Sequence, residues 1–222
     1  MEDKIVLICA TGRSGSTTMM RLLNTMPNTN ICGENCGAIN ALLEFYRNIK
    51  SGTFNNIPGK SKPFKYDYII QKNIKPSWYN CYNIYEIRDK IREMIIAMFK
   101  MNEQTKIWGF KEIRYDYGKI NYIREFKELF PQTKVIIQIR GNIQKQSRSG
   151  WFKKDQNAIE FLKKTNKELV DFYIKNPSYC YFTTFEQMFD RSNLHKIFDF
   201  IGCSQHYNEE KITEVLNNNI KD

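Results

Sequence analysis

The sequence predicts an α/β protein built on a mostly parallel sheet, and three observations carry that reading. Short runs of nearly continuous apolar residues, such as "KIVLICA" at 4–10 and "KVIIQI" at 134–139, have the character of strands buried on both faces. Segments with apolar residues at helical spacing lie between such runs. The two kinds of segment alternate along the chain, the order in which helices cross over between parallel strands.

The elements follow in order. "KIVLICA" is the first strand, and the helix after it carries Met19, Met20, Leu22, Leu23 and Met26 and stops at Pro27. A second helix covers "GAINALLEFYRNI". Residues 51–83 are rich in Pro, Gly, Asn and Lys and read as an irregular insertion or flap, too short to be a domain. In "YEIRDKIREMIIAMFKMN" the residues Ile87, Ile91, Met94, Ile95 and Met98 share one helix face. "KIWGFKEI" is a short strand and "KINYIREFKELF" a helix ending at Pro131. After "KVIIQI", the segment "RGNIQKQSRSGWF" starts as a helix. A longer helix covers "QNAIEFLKKTNKELVDFYIK", "YCYFTTF" is a strand, "NLHKIFDFIG" is a helix closing on Gly202, and "EEKITEVLNN" is a weak terminal helix. At 222 residues, one domain spanning 1–222 is expected.

Composition narrows the partners. Hydrophobic residues make up 41% of the chain and aromatic ones 14%, which is globular rather than disordered. The net charge of +10 favours anionic ligands, although a Lys-rich composition alone would produce the same number. The charge is spread along the chain without a compact basic–aromatic motif, so no nucleic acid is expected. No signal-peptide pattern precedes the first strand, and no apolar run approaches the roughly 20 residues of a membrane span. A soluble, cytoplasmic protein is therefore expected. Cys9 and Cys180 fall in strands, where a thiol behaves as a small buried apolar group. Cys32-x3-Cys36 and Cys203-x2-His206 are isolated spacings, and no metal site is expected from them.

The chemistry concentrates where the first strand meets its helix, in "ATGRSGSTT". Backbone N–H groups converge at such a turn, and the helix dipole adds partial positive charge. In the loop that binds ATP, two glycines bracket four residues and Lys-Ser/Thr follows. Here Gly12 and Gly15 bracket only Arg13 and Ser14, and Ser16, Thr17 and Thr18 follow. The cation thus sits inside the turn, and no strand ends in a convincing metal-binding Asp. Magnesium-dependent phosphoryl transfer is poorly supported.

The order strand, G-R-S-G-S-T-T, helix resembles the donor loop of sulfotransferases that use 3′-phosphoadenosine 5′-phosphosulfate. The resemblance implies a P-loop-NTPase-like parallel sheet flanked by helices on both faces. It implies that Arg13 neutralises the phosphosulfate while Ser14, Gly15, Ser16, Thr17 and Thr18 surround it, with no metal required. "NICGENCGAINALLEF" looks like the Cys-Gly-Glu segment of tyrosylprotein sulfotransferases, which makes Glu34 the base that deprotonates the acceptor hydroxyl. The alternative is that Glu34 caps the following helix. "WGFKEIRY" resembles the segment that carries a lysine near the bridging oxygen. Lys111 then stabilises the leaving phosphate, and Arg114 joins that cationic cluster or contacts an acidic acceptor.

"KVIIQIRGNIQKQSRSGWF" resembles the strand and helix that hold the 3′-phosphate. Arg140 is the implied arginine. Either Ser147 or Ser149 is its serine partner, and Arg148 itself is a further candidate ligand. "YCYFTTFEQMF" looks like the late strand of the family, which implies that Phe185 contacts the adenine; the alternative is an ordinary core phenylalanine. The implied acceptor is a hydroxyl of a glycan or of a peptide tyrosine. A P-loop nucleotide kinase and a non-catalytic nucleotide- or anion-binding protein stand as the other readings.

Overall fold

A computed structural model of the chain describes residues 3–54, 82–115 and 119–218. The described residues divide into two compact units, one comprising 1–36 and 99–222 and the other 37–98. Most of the expected insertion at 51–83 lies outside the described residues.

The first unit is built on five parallel strands: β1 (Lys4–Ala10), β2 (Thr29–Cys32), β3 (Ile107–Glu112), β4 (Lys134–Ile139) and β5 (Cys180–Thr184). Their order across the sheet is β2-β3-β1-β4-β5. β1 is almost wholly buried between β3 and β4, with Ile5↔Trp108 on one side and Leu7↔Val135 on the other. That central position explains its unbroken apolar run. β2 was not expected from the sequence. It is four residues long at a sheet edge with only Ile31 buried, so no apolar run announces it.

Strand alternation sorts the core into two layers. Val6, Ile8, Ile107 and Ile136 face one way and pack with Met19, Leu22 and Leu23 of α1 (Ser16–Leu23). Their layer also holds Leu194, Ile197 and Phe198 of the helix Arg191–Phe200 and Ile212 of the helix Glu209–Asn217. On the opposite face Trp108 and Phe110 meet Phe130 and Phe126, at 5.5 Å between ring centroids in each case. Phe126 belongs to the helix Asn121–Leu129. The helix Ala158–Lys175 covers β5 there, with Tyr173 and Phe182 5.6 Å apart. Helices therefore cover both faces, as expected. Cys9 and Cys180 are buried free thiols, and burial pushes the Cys180 thiol up to about 12.

The second unit contains the helices Ala38–Phe54 and Ile84–Phe99, the latter running one residue into the first unit. Ile39, Leu43 and Tyr46 are buried on the former and Ile91 and Ile95 on the latter. Among the described residues, no helix is long and apolar enough to cross a membrane.

The helix expected from "RGNIQKQSRSGWF" is shorter than its pattern suggests. It spans only Ile143–Ser147, and after an extended Ser149 the chain enters a 3-10 turn at Gly150–Lys154. Gly150 has φ +56°, and a Cβ there would lie 2.7 Å from Arg13 Nε. A glycine adopts this left-handed conformation without steric cost, and here it also leaves room for the arginine. The segment breaks where it wraps the Arg13 side chain.

Candidate functional site

The loop between β1 and α1 lies at the carboxyl end of the central strand, where β1 has β3 on one side and β4 on the other. Crevices in open α/β sheets form at such points. Gly15 is the N-cap of α1 with φ +79°, and Thr18 and Met19 both donate to its carbonyl. The first turn carries no acidic residue, and the cap makes no side-chain hydrogen bond. The positive end of the helix is thus open to an external anion. A side chain at position 15 would strike the Phe185 ring at 2.3 Å, so glycine is required by contact as well as by φ.

Beneath the loop, three consecutive carbonyls are turned inward. Gln146 Nε2 donates to Gly12 O at 2.7 Å, Arg140 Nη1 to Arg13 O at 3.4 Å, and Gln138 Nε2 to Ser14 O at 2.8 Å. With these carbonyl oxygens held from below, the amide edge of the turn is left to face the cleft. Gln138 and Gln146 are fully buried. Gln146 also donates to Thr11 Oγ1 at 2.9 Å, and Thr11 in turn to Asn166 Oδ1 at 3.1 Å. Sequence reading passed over these amides as site residues. The available signal was the glutamine inside "KVIIQI", because a buried amide in an apolar strand must find partners.

Arg13 itself has φ +63°. A left-handed conformation costs a non-glycine residue about 1–2 kcal/mol. Its Nε donates to Ser149 Oγ at 3.0 Å, and its guanidinium lies 5.9 Å from the Trp151 ring centroid. Arg140 stacks on Phe185 at 4.6 Å.

Above the loop opens a cleft of about 310 Å³. Arg13 and Gly15 to Thr18 line it, together with Glu34, Lys111, Arg140 and Phe185. The exposed rings of Trp151 and Phe189, with Ile113, Val215, Leu216 and Asn218, complete it. Glu34 and Lys111, 77 residues apart, meet at 2.5 Å between Oε1 and Nζ. Only 8% of the Lys111 side chain is exposed, against 29% for Glu34. The far oxygen of Glu34 faces Arg114 at 3.5 Å.

Not every sequence candidate reaches this cleft. Ser14 is buried and does not line it, and among the described residues its hydroxyl has no partner. Ser147 donates to Gln144 O and Arg148 is exposed, and neither lines the cleft. Ser149 touches the site through Arg13. Among the described residues, no group of three or more His, Cys, Asp and Glu side chains gathers.

Glu186 holds the turn that carries Arg140. Its carboxylate accepts from Gly141 N at 3.0 Å and Asn142 N at 3.2 Å. Burial by itself would raise this carboxyl, but the backbone amides, Gly141 foremost, together with the Thr184 hydroxyl bring it below its ordinary 4.5. The folded form thus binds its proton less readily than the unfolded one. The resulting stabilisation is complete above pH 4.5 and is lost as pH falls through the lower folded value. Thermal melts between pH 3 and pH 6 will show Glu186→Gln losing less stability on acidification than wild type. Parallel curves would exclude this role.

No protein-family model matches the sequence, and no curated protein matches it. Solved structures do. A sulfotransferase from Alicyclobacillus acidocaldarius is similar at a TM-score of 0.50 and 12% identity, over 95% of this chain and 88% of that one. The sulfotransferase domain from the curacin biosynthetic pathway has a TM-score of 0.49 and 14% identity, over 96% of this chain and 77% of that one. For the sulfotransferase STF1 from Mycobacterium tuberculosis H37Rv the values are 0.47 and 8%, over 98% and 72%. At such identities the likeness is one of architecture, and the chain has the α/β fold of the sulfotransferases.

Proposed function

We propose that the chain is a sulfotransferase that moves the sulfuryl group of 3′-phosphoadenosine 5′-phosphosulfate to an acceptor hydroxyl. The observation that carries this reading is the juxtaposition, in one cleft, of an open anion loop with the Glu34–Lys111 pair. The loop amides and Arg13 would hold the 5′-phosphosulfate, and Arg140 with Ser149 the 3′-phosphate. Phe185 offers a ring face to the adenine.

The reaction needs no more than the residues that line this cleft or touch it. A sulfuryl group carries one less negative charge than a phosphoryl group, so fixed cations and amides can balance its transfer. In the resting state Lys111 and Glu34 neutralise each other. A bound donor offers Lys111 a competing partner, the bridging oxygen on which negative charge develops as the sulfur–oxygen bond breaks, and so frees Glu34 Oε1 to take a proton. The acceptor oxygen then bonds to sulfur as the sulfur–oxygen bond to the donor phosphate breaks in line. The acceptor proton passes to Glu34, and the charge gained by the leaving phosphate falls on Lys111 and Arg13. A glycan or a peptide tyrosine supplies the hydroxyl.

A radiolabelled sulfate donor, offered with a panel of glycans, tyrosine peptides and phenols, is expected to label at least one class in the presence of EDTA. Calorimetry should show 3′-phosphoadenosine 5′-phosphate binding without magnesium. Arg140→Ala should weaken that binding by about 10–100-fold, the effect of losing a charge-assisted contact of about 1.5–3 kcal/mol. Equal affinity for ATP, or phosphate transfer from ATP, would replace this reading with a nucleotide kinase. Nucleotide binding with no transfer to any acceptor would leave a binding protein.

A further inference from the structure

Glu34 is gripped from two sides, and only one side is suited to let go. Its Oε1 faces Lys111, and its Oε2 faces Arg114 Nη2 at 3.5 Å. Arg114 is in turn anchored from behind, where its Nη1 donates to Glu112 Oε1 at 2.8 Å. Glu112 is 1% exposed, and the same oxygen accepts from the backbone N–H of Ile113 at 2.8 Å and of Arg114 at 3.1 Å. The result is a chain of alternating charge, Glu112–Arg114–Glu34–Lys111, whose inner end is fixed to the backbone at the end of β3. Glu112 and Arg114 do not line the cleft, whereas Glu34 and Lys111 do.

We infer that Arg114, held by Glu112, is the positioning residue that keeps Glu34 in place when Lys111 turns to the donor, and that Oε1 is the atom that takes the acceptor proton. This rests on the proposed sulfuryl transfer. Lys111 sits on a flexible four-carbon stem and can exchange one anion for another. The Arg114 guanidinium presents one nitrogen to each carboxylate, so it bridges them in a fixed geometry. Without that bridge, Glu34 loses its second contact at the moment Lys111 leaves. A nearby base that is not held at a hydrogen-bonding distance from the acceptor contributes little.

The test compares Arg114→Met and Arg114→Lys with wild type. Arg114→Met is expected to lower kcat by about 10–100-fold, the cost of misplacing a reacting group by about 1 Å. The affinity for 3′-phosphoadenosine 5′-phosphate should not change, since the arginine lies outside the donor seat. Arg114→Lys keeps the charge but cannot bridge both carboxylates in a fixed geometry, so it should recover only part of the loss. The inference is overturned by an Arg114→Met enzyme as active as wild type. Nucleotide affinity falling in step with kcat, or a lysine variant fully as active as wild type, would overturn it too. A crystal structure of Arg114→Met gives a readout independent of turnover. A displaced Glu34 carboxylate supports the inference, and an unmoved one sinks it. A wild-type protein that transfers no sulfate would overturn the proposed function instead, and the crystal structure would still decide the role of Arg114.

Discussion

Replacing Glu34 with glutamine is expected to cut sulfuryl transfer by about 10²–10⁴-fold, the contribution of a positioned general base. Affinity for 3′-phosphoadenosine 5′-phosphate should be retained. The amide has the same shape as the carboxylate, and its oxygen can still accept from Lys111 or Arg114, so the cleft wall keeps its form. It cannot take a proton from a hydroxyl. The proposed donor seat, formed by the α1 N-terminus, Arg13 and Arg140, is separate from the Lys111 and Arg114 contacts that hold Glu34. Single-turnover assays beside calorimetry separate the two effects. A glutamine variant with wild-type turnover would dismiss Glu34 as the base.

Lys111→Met is the second large effect, with an expected loss of about 10²–10³-fold in kcat, comparable to removal of one oxyanion donor. Stability should move little. Burying an ammonium carries a desolvation penalty that its partner only partly offsets, and a methionine of similar length avoids it. Glu34 keeps Arg114 as a counter-charge and is partly solvated, so it is not stranded. A melting temperature close to wild type with kcat reduced identifies a residue that stabilises the transition state. A protein that unfolds at lower temperature and recovers full activity on cooling would make Lys111 a structural ion-pair partner only.

Much of the architecture was legible because it is written locally. β1, the glycine turn and α1 are contiguous, and their apolar periods and missing cap acid are properties of neighbouring residues. β2 escaped because a short edge strand leaves little apolar pattern, although it delivers the chain that bears Glu34. The helix after β4 was read too long because its pattern continues while the backbone does not. What ends it is packing between Gly150 and Arg13, 137 positions apart by number.

The sequence alone determined the fold class and the glycine turn at the start of α1, since hydrophobic period and turn chemistry report which way each residue faces. Only the tertiary structure decided which distant residues meet. It placed Gln138 and Gln146 under loop carbonyls 124 and 134 positions away, and Ser149 rather than Ser147 on Arg13. It also set Glu34 between Lys111 and Arg114. Those meetings follow from the strand order β2-β3-β1-β4-β5, which brings the carboxyl ends of remote strands together. Periodicity along the chain records a residue's face, and carries no address for its partner.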